Sequence, residues 1–215
     1  MKKTIGALIL AVLVCVSLSG CGVKYVNPFA DIPKPVATIT MSDGRVMRFT
    51  LYPDCAPNTV ANFITLANSG FYDGLKIDYV YPTYYIRGGD KLGDGTGMLD
   101  YTIDGEFKEN GFPLPGLDHT RGTLSMCRLT DNPDSAGSQF FITLSSHHDY
   151  DGKYAAFGHI EEGDTESYAV LDALASAILD KNYCPMIRQG IASIRVDTKG
   201  YVYEVIKSGE EAPAE

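Results

Sequence analysis

The sequence predicts a mainly β domain, a closed antiparallel barrel with two helices. Three observations predict it. From Phe71 to Phe157 short apolar stretches alternate with Gly, Asp, Asn and Pro turns, a pattern that suits barrel closure. Ahead of them, Val36–Met41 and Val46–Leu51 alternate apolar and polar residues around Ser42-Asp43-Gly44, a hairpin signal. Two stretches carry apolar residues at helical spacing instead.

The amino terminus reads as an address. Met1-Lys2-Lys3 is positive, and Ile5 to Leu18 is an apolar run of 14 residues. That is short of the roughly 20 needed to span a bilayer and suits a secretory signal. Leu18-Ser19-Gly20-Cys21 follows at once and resembles the bacterial lipobox. That resemblance implies cleavage after residue 20, a diacylglyceryl group on Cys21, and an extracytoplasmic domain held at a bacterial membrane. Residues 21–35, with three prolines, read as a tether. The domain itself is expected over 36–207, followed by a small, acidic, flexible tail at 208–215.

Charge agrees with a lipid anchor rather than an electrostatic one. The formal net charge of the 215 residues is −9, and removal of Lys2 and Lys3 makes it more negative. An acidic surface repels phosphate, which argues against nucleic acid and against docking on anionic lipid by charge. Buried acyl chains, at about 0.8 kcal/mol per CH₂, need no such help. The 45% apolar content is that of an ordinary globular chain. A monomer is expected.

Within the domain, Pro53-Asp54-Cys55-Ala56-Pro57 breaks the second strand. Val60, Phe63, Ile64 and Ala67 then form a helical stripe that Asn68-Ser69-Gly70 ends. A second helix is expected near Ser167 to Leu179, with Leu171, Leu174, Ala175 and Ile178 on its buried face. Ile191 to Val196, a turn at Asp197-Thr198-Lys199-Gly200 and a strand from Tyr201 to Ile206 close the chain. Cys55, Cys127 and Cys184 remain after processing. One pair could bridge in an oxidising compartment, but free thiols are the expected state.

Six ordered blocks carry a family resemblance. They are Leu51-Tyr-Pro-Asp-Cys-Ala-Pro-Asn-Thr-Val-Ala-Asn-Phe63, Gly70-Phe-Tyr-Asp-Gly-Leu75, Gly88-Gly-Asp90, Gly122-Thr-Leu-Ser-Met126, Asp134-Ser-Ala-Gly-Ser-Gln-Phe-Phe-Ile142 and Asp151-Gly-Lys-Tyr-Ala-Ala-Phe-Gly158. Together they resemble cyclophilin-type peptidyl-prolyl isomerases over about Val36 to Ile206. The resemblance implies an eight-stranded barrel closed by two helices and binding of proline-containing peptide segments.

The chemistry so implied is rotation about an X–Pro bond, against a barrier of about 18–20 kcal/mol. No bond breaks, so no nucleophile, metal or cofactor is required. Twisting the amide returns the lone pair to the prolyl nitrogen. A fixed cationic donor there favours the twisted state over the ground state. In the family this donor is the arginine of Phe-His-Arg, eight residues before a glutamine. Aligned without a gap, this sequence has Asp78 at the histidine, Tyr79 at the arginine and Arg87 at the glutamine.

The candidate catalytic residues are therefore Tyr79, Arg87 and Gln139, with Arg87 offered as a substitute donor. The resemblance assigns peptide contact to Tyr84, Tyr85, Cys127, Arg128, Phe141, Asp149, Tyr150 and Tyr154, with Phe141 as the floor of the proline pocket. A one-residue slip would put His148 in place of Asp149. A module that binds proline segments and barely catalyses is the alternative function. Gly93-Asp-Gly-Thr-Gly97 lacks the lysine and the strand-turn-helix context of a phosphate loop. The adjacent His147 and His148 do not form a metal shell.

Overall fold

The computed structural model describes residues 32–210 and the two-residue strand β1 (Lys3–Thr4). Apart from Lys3 and Thr4, the signal segment lies outside the described residues, as do Cys21 and most of the tether. In chain order the other elements are β2 (Val36–Met41), β3 (Val46–Leu51), α1 (Pro57–Asn68), β4 (Lys76–Tyr81), β5 (Tyr85–Gly88), β6 (Thr123–Met126), β7 (Phe140–Thr143), β8 (Ala156–His159), α2 (Thr165–Ala175), β9 (Gln189–Asp197) and β10 (Tyr201–Val202). Eight strands close a barrel in the order β2-β3-β8-β6-β7-β5-β4-β9, each pairing antiparallel with its neighbours. The expected mainly β fold with eight barrel strands and two helices is the observed one.

Alternation decides which side chains fill the barrel. In β2 and β3 the residues Ala37, Ile39, Met41, Met47, Phe49 and Leu51 are buried, and their neighbours face outward. The turn between them uses Gly44 at φ 89, and Gly44 N donates to Met41 O at 2.9 Å. β7 alternates likewise: Phe140 and Ile142 join the core while Phe141 points the other way.

Helix α1 packs against β9, and Phe63 drives into the core, where its ring meets Tyr72, Phe140 and Phe157 at 5.4, 5.9 and 5.1 Å. Ala56 at its N-cap offers no side-chain acceptor. Pro57 removes one orphan N–H, and a distant carboxylate serves the next two. Glu106, itself buried, accepts from Asn58 N at 3.0 Å and Thr59 N at 2.7 Å. Burial pushes its carboxyl up to about 7, against those two backbone hydrogen bonds.

Two expected boundaries move. Helix α2 runs Thr165–Ala175, not from Ser167 to Leu179. It starts early because Asp164 caps it, accepting from Ser167 N at 3.0 Å. It stops early because the chain turns back, with Met186 N donating to Ile178 O at 2.8 Å, which leaves Ile178 69% exposed. The last segment is strand only over Tyr201–Val202, and it pairs in parallel with β1 outside the barrel. Beyond it the chain is held by side chains: Ile206 N donates to Asn58 Oδ1 and Asn58 Nδ2 to Ile206 O. Cys55, Cys127 and Cys184 are free thiols, as expected, Cys55 buried and the other two half-buried.

Glu106 makes stability pH-dependent with a definite sign. Its carboxyl binds protons more tightly in the folded than in the unfolded chain, so its contribution is fully present below about 4.5 and is lost as pH rises through about 7. Glu106→Gln should therefore gain on wild type by roughly 1 kcal/mol per pH unit across that window. Urea unfolding at pH 5 and pH 8 checks this. A stability difference that does not change with pH would reject it.

Candidate functional site

A row of cross-strand partners builds the site. Tyr79 on β4 pairs with Arg87 on β5, Arg87 pairs with Phe141 on β7, and Phe141 pairs with Ser125 on β6. Partners in register share a face, so these four side chains leave the barrel on one side. Arg87 thus stands beside Phe141, and Tyr79 stands one strand, about 4.8 Å, further off.

Phe141 floors a cavity of about 600 Å³. Around it the rings of Tyr85, Tyr154 and Tyr150 lie 5.4, 5.5 and 6.0 Å from its centroid, the last two edge-on. Beneath it lies His119, fully buried, whose ring stacks on Phe141 at 5.9 Å and 10°. His119 is fixed at both nitrogens, with Nδ1 2.9 Å from Asp151 Oδ1 and Nε2 3.1 Å from Ser125 Oγ. Burial lowers its proton affinity, opposed by Asp151, so the imidazole is the neutral brace of the floor.

The opposite wall is the glycine-rich segment read above as unlike a phosphate loop. Its backbone wraps a carboxylate of the same chain. Asp90 accepts from Leu92 N, Asp94 N and Gly95 N, and a Cβ at Gly97 would sit 1.9 Å from Asp90 Oδ1.

Three candidates line the cavity with their polar ends committed, in part or whole. Gln139 Nε2 donates to Gly97 O at 2.9 Å and Gly95 O at 3.3 Å, which ties the wall to β7. Arg128 donates to the carbonyls of Lys153, Leu129 and Thr130 and lies over the Tyr154 ring at 4.8 Å. Arg87 donates from Nε at 3.0 Å and from one Nη at 2.5 Å to Asp78 Oδ2, and its other Nη has no protein acceptor among the described residues.

Asp78 is the extra residue of a bulge between Ile77 and Tyr79, and its side chain is buried against Arg87. Burial raises its proton affinity, and the hydrogen bond and charge of Arg87 oppose that. For Arg87, burial opposes the charge, but Asp78 outweighs it and the net effect strengthens the cation. Cys127 completes this corner, its thiol pushed up to about 12 by burial.

Not every candidate reaches the cavity. Tyr79 lies outside its lining and packs beneath the Arg87 guanidinium at 5.1 Å. Tyr84 stands behind the rim, stacked on Tyr81 at 4.5 Å and on His147 at 4.3 Å. Asp149 is exposed and lines nothing, because the 3₁₀ turn His148–Tyr150 aims Tyr150 inward and its neighbours outward. His148 is no substitute, since its Nδ1 meets Asp151 Oδ2 at 2.7 Å at the surface. The aromatic beside Tyr84 is His147, two positions from where sequence alignment looked. His119 and Tyr81 were likewise missed. His119 lies between Asp118 and Thr120, a polar stretch that gives no signal of its burial.

Comparison with known proteins places this architecture. Residues 36–196 match the family described as cyclophilin type peptidyl-prolyl cis-trans isomerase/CLD. Peptidyl-prolyl cis-trans isomerase B of Bacillus subtilis is 42% identical over 123 residues, 57% of this chain and 81% of that protein. A peptidyl-prolyl cis-trans isomerase of Synechococcus elongatus is 40% identical over 128 residues, 60% of this chain and 81% of that one. A solved cyclophilin-type isomerase from Cryptosporidium parvum, in the presence of the dipeptide Ala-Pro, superposes with a TM-score of 0.66 at 30% identity. The match covers 75% of this chain and 98% of that one.

The corner thiol gives a check that is independent of turnover. With a thiol near 12, only about 10⁻⁴ of Cys127 is thiolate at pH 8. Iodoacetamide should leave it unmodified in the folded protein over a time that labels the urea-unfolded chain, as read by mass spectrometry. Equal labelling in both states would show that the corner is open to solvent.

Proposed function

Since this chain belongs to the cyclophilin type peptidyl-prolyl cis-trans isomerase family and is an isomerase, we propose that Arg87 is the cationic donor that serves the twisted amide. The carrying observation is that Arg87, not Tyr79, lines the cavity that Phe141 floors. The proline ring rests on Phe141 between Tyr85, Tyr150 and Tyr154, where apolar surface leaves water. The flanking carbonyl turns in the open part of the cavity. The free Nη of Arg87 donates to the prolyl nitrogen as its lone pair returns.

Asp78 holds that guanidinium in place and takes up part of its charge. This arrangement supports a slower enzyme than a family member with an unshared arginine. The same observation supports the second reading, a binding module with little turnover. Gln139 adds to it, because its amide is occupied by the cavity wall.

Activity on a short Ala-Pro peptide, with dipeptide binding measured alongside, separates the two readings. Removing Arg87 alone would strand a buried carboxylate at a cost of about 3–5 kcal/mol. The informative variant is therefore Arg87→Gln combined with Asp78→Asn. It should keep its melting temperature within a few degrees, bind dipeptide and lose about 10²-fold in kcat/KM. Undiminished turnover would remove Arg87 from the mechanism. Binding without turnover in wild type would select the second reading.

We further propose that the protein works outside the cytoplasm as a lipid-anchored folding assistant for secreted or envelope proteins, as a monomer. The charged start, short apolar run and Leu18-Ser19-Gly20-Cys21 support this. Cys21→Ser should move the protein from the membrane to the soluble fraction of a bacterial host. Retention of that variant in the membrane fraction would refute the anchor.

A further inference from the structure

Beside the proline cavity stands a group of rings of which only Tyr85 serves the reaction. Tyr79, Tyr85, Tyr81 and Tyr183 form a closed circuit with centroid spacings of 6.0, 5.9, 5.9 and 6.0 Å. Tyr85 belongs to the cavity, so the surface continues without a break from the proline pocket to Tyr183. Tyr81 and Tyr183 are 37% and 44% exposed. The hydroxyls of Tyr72, Tyr101 and Tyr168 reach protein oxygens, but those of Tyr81 and Tyr183 meet no acceptor among the described residues.

Tyr183 is held there against its backbone preference. Its φ is 63, a left-handed conformation that a bulky residue adopts only where its surroundings impose it. The surroundings are a tight turn around Asp180. The Asp180 carboxylate accepts from Asn182 N at 2.8 Å and Cys184 N at 2.9 Å, and Asp180 N donates to Cys184 O at 2.9 Å. The carbonyl of Tyr183 accepts from Val80 N at 2.9 Å, which locks the turn onto β4. A strained residue in a pre-set turn fixes one ring against two others.

We propose that Tyr81 and Tyr183 form a subsite for the segment flanking the isomerised proline, and that the preferred clients are proline-rich segments in the polyproline II conformation. The inference rests on the isomerase reading and names its substrate class. Flat aromatic faces with free hydroxyls recognise such helices, stacking on the pyrrolidine rings and donating to the unpaired carbonyls. Continuity with the cavity favours a peptide over a lipid surface.

The test uses the domain on a short Ala-Pro peptide and on the same peptide extended by four prolines on either side. Wild type should show a KM about tenfold lower for one extended peptide, with kcat little changed. Tyr183→Asn, which tolerates the left-handed backbone, and Tyr81→Ser should each abolish that gain while turning over the short peptide within about twofold of wild type. No gain on extension, or a gain that survives both substitutions, would overturn the subsite. Loss of short-peptide turnover in wild type would instead count against the isomerase reading, and fluorescence titration of the extended peptide would then decide the subsite alone. Binding to phosphatidylglycerol vesicles that Tyr183→Asn removes, with no effect on either peptide, would reassign the surface to lipid.

Discussion

A carboxylate with almost no access to water sits one residue from the face on which a peptide would bind. Asp78 is there because a bulge in β4 gives the strand one residue more than β5 can pair. Its charge is tolerable only with a cation against it, and Arg87 is that cation. The pair fixes the direction of the guanidinium, and the guanidinium in turn covers Tyr79 and reaches the corner beside Cys127. One misplaced pairing in a sheet thus settles which residue faces the cavity and which lies beneath it.

Most of the barrel was legible because alternation and turn residues are local. β2, β3 and the stripe of α1 fall where their apolar spacing puts them, and Phe141 lines the cavity. The bulge at Asp78 was not legible, since register is a property of two strands and no local pattern announces it. Asp149 misled for a related reason. Alignment fixes position along the chain, but a 3₁₀ turn decides which of three neighbours looks inward. The end of α2 and the short β10 depend on what the chain meets later, at Met186 and at Asn58, and neither partner is adjacent in sequence.

Around the cavity most polar groups hold the protein rather than await a ligand. Gln139 braces the glycine-rich wall, Arg128 braces its own loop, and His119 braces the floor. The surface that remains is aromatic, chiefly tyrosine, on a chain that has no tryptophan. Such a site gains its specificity from shape and from the position of a single cation. This suits a reaction in which nothing is transferred and only a torsion changes.

The carboxylate at the start of α1 bears on the order in which the chain assembles. An N-terminus capped by its own neighbours can nucleate early. Here the acceptor for Asn58 N and Thr59 N comes from a residue almost 50 positions onward, so the first turn of the helix stays frayed until β4, β5 and the segment around Glu106 have been laid down. Completing this local element waits on closure of a loop of almost 50 residues, at an entropic cost that grows with its length. An isomerase of X–Pro bonds would then depend, for its own central helix, on a late tertiary event.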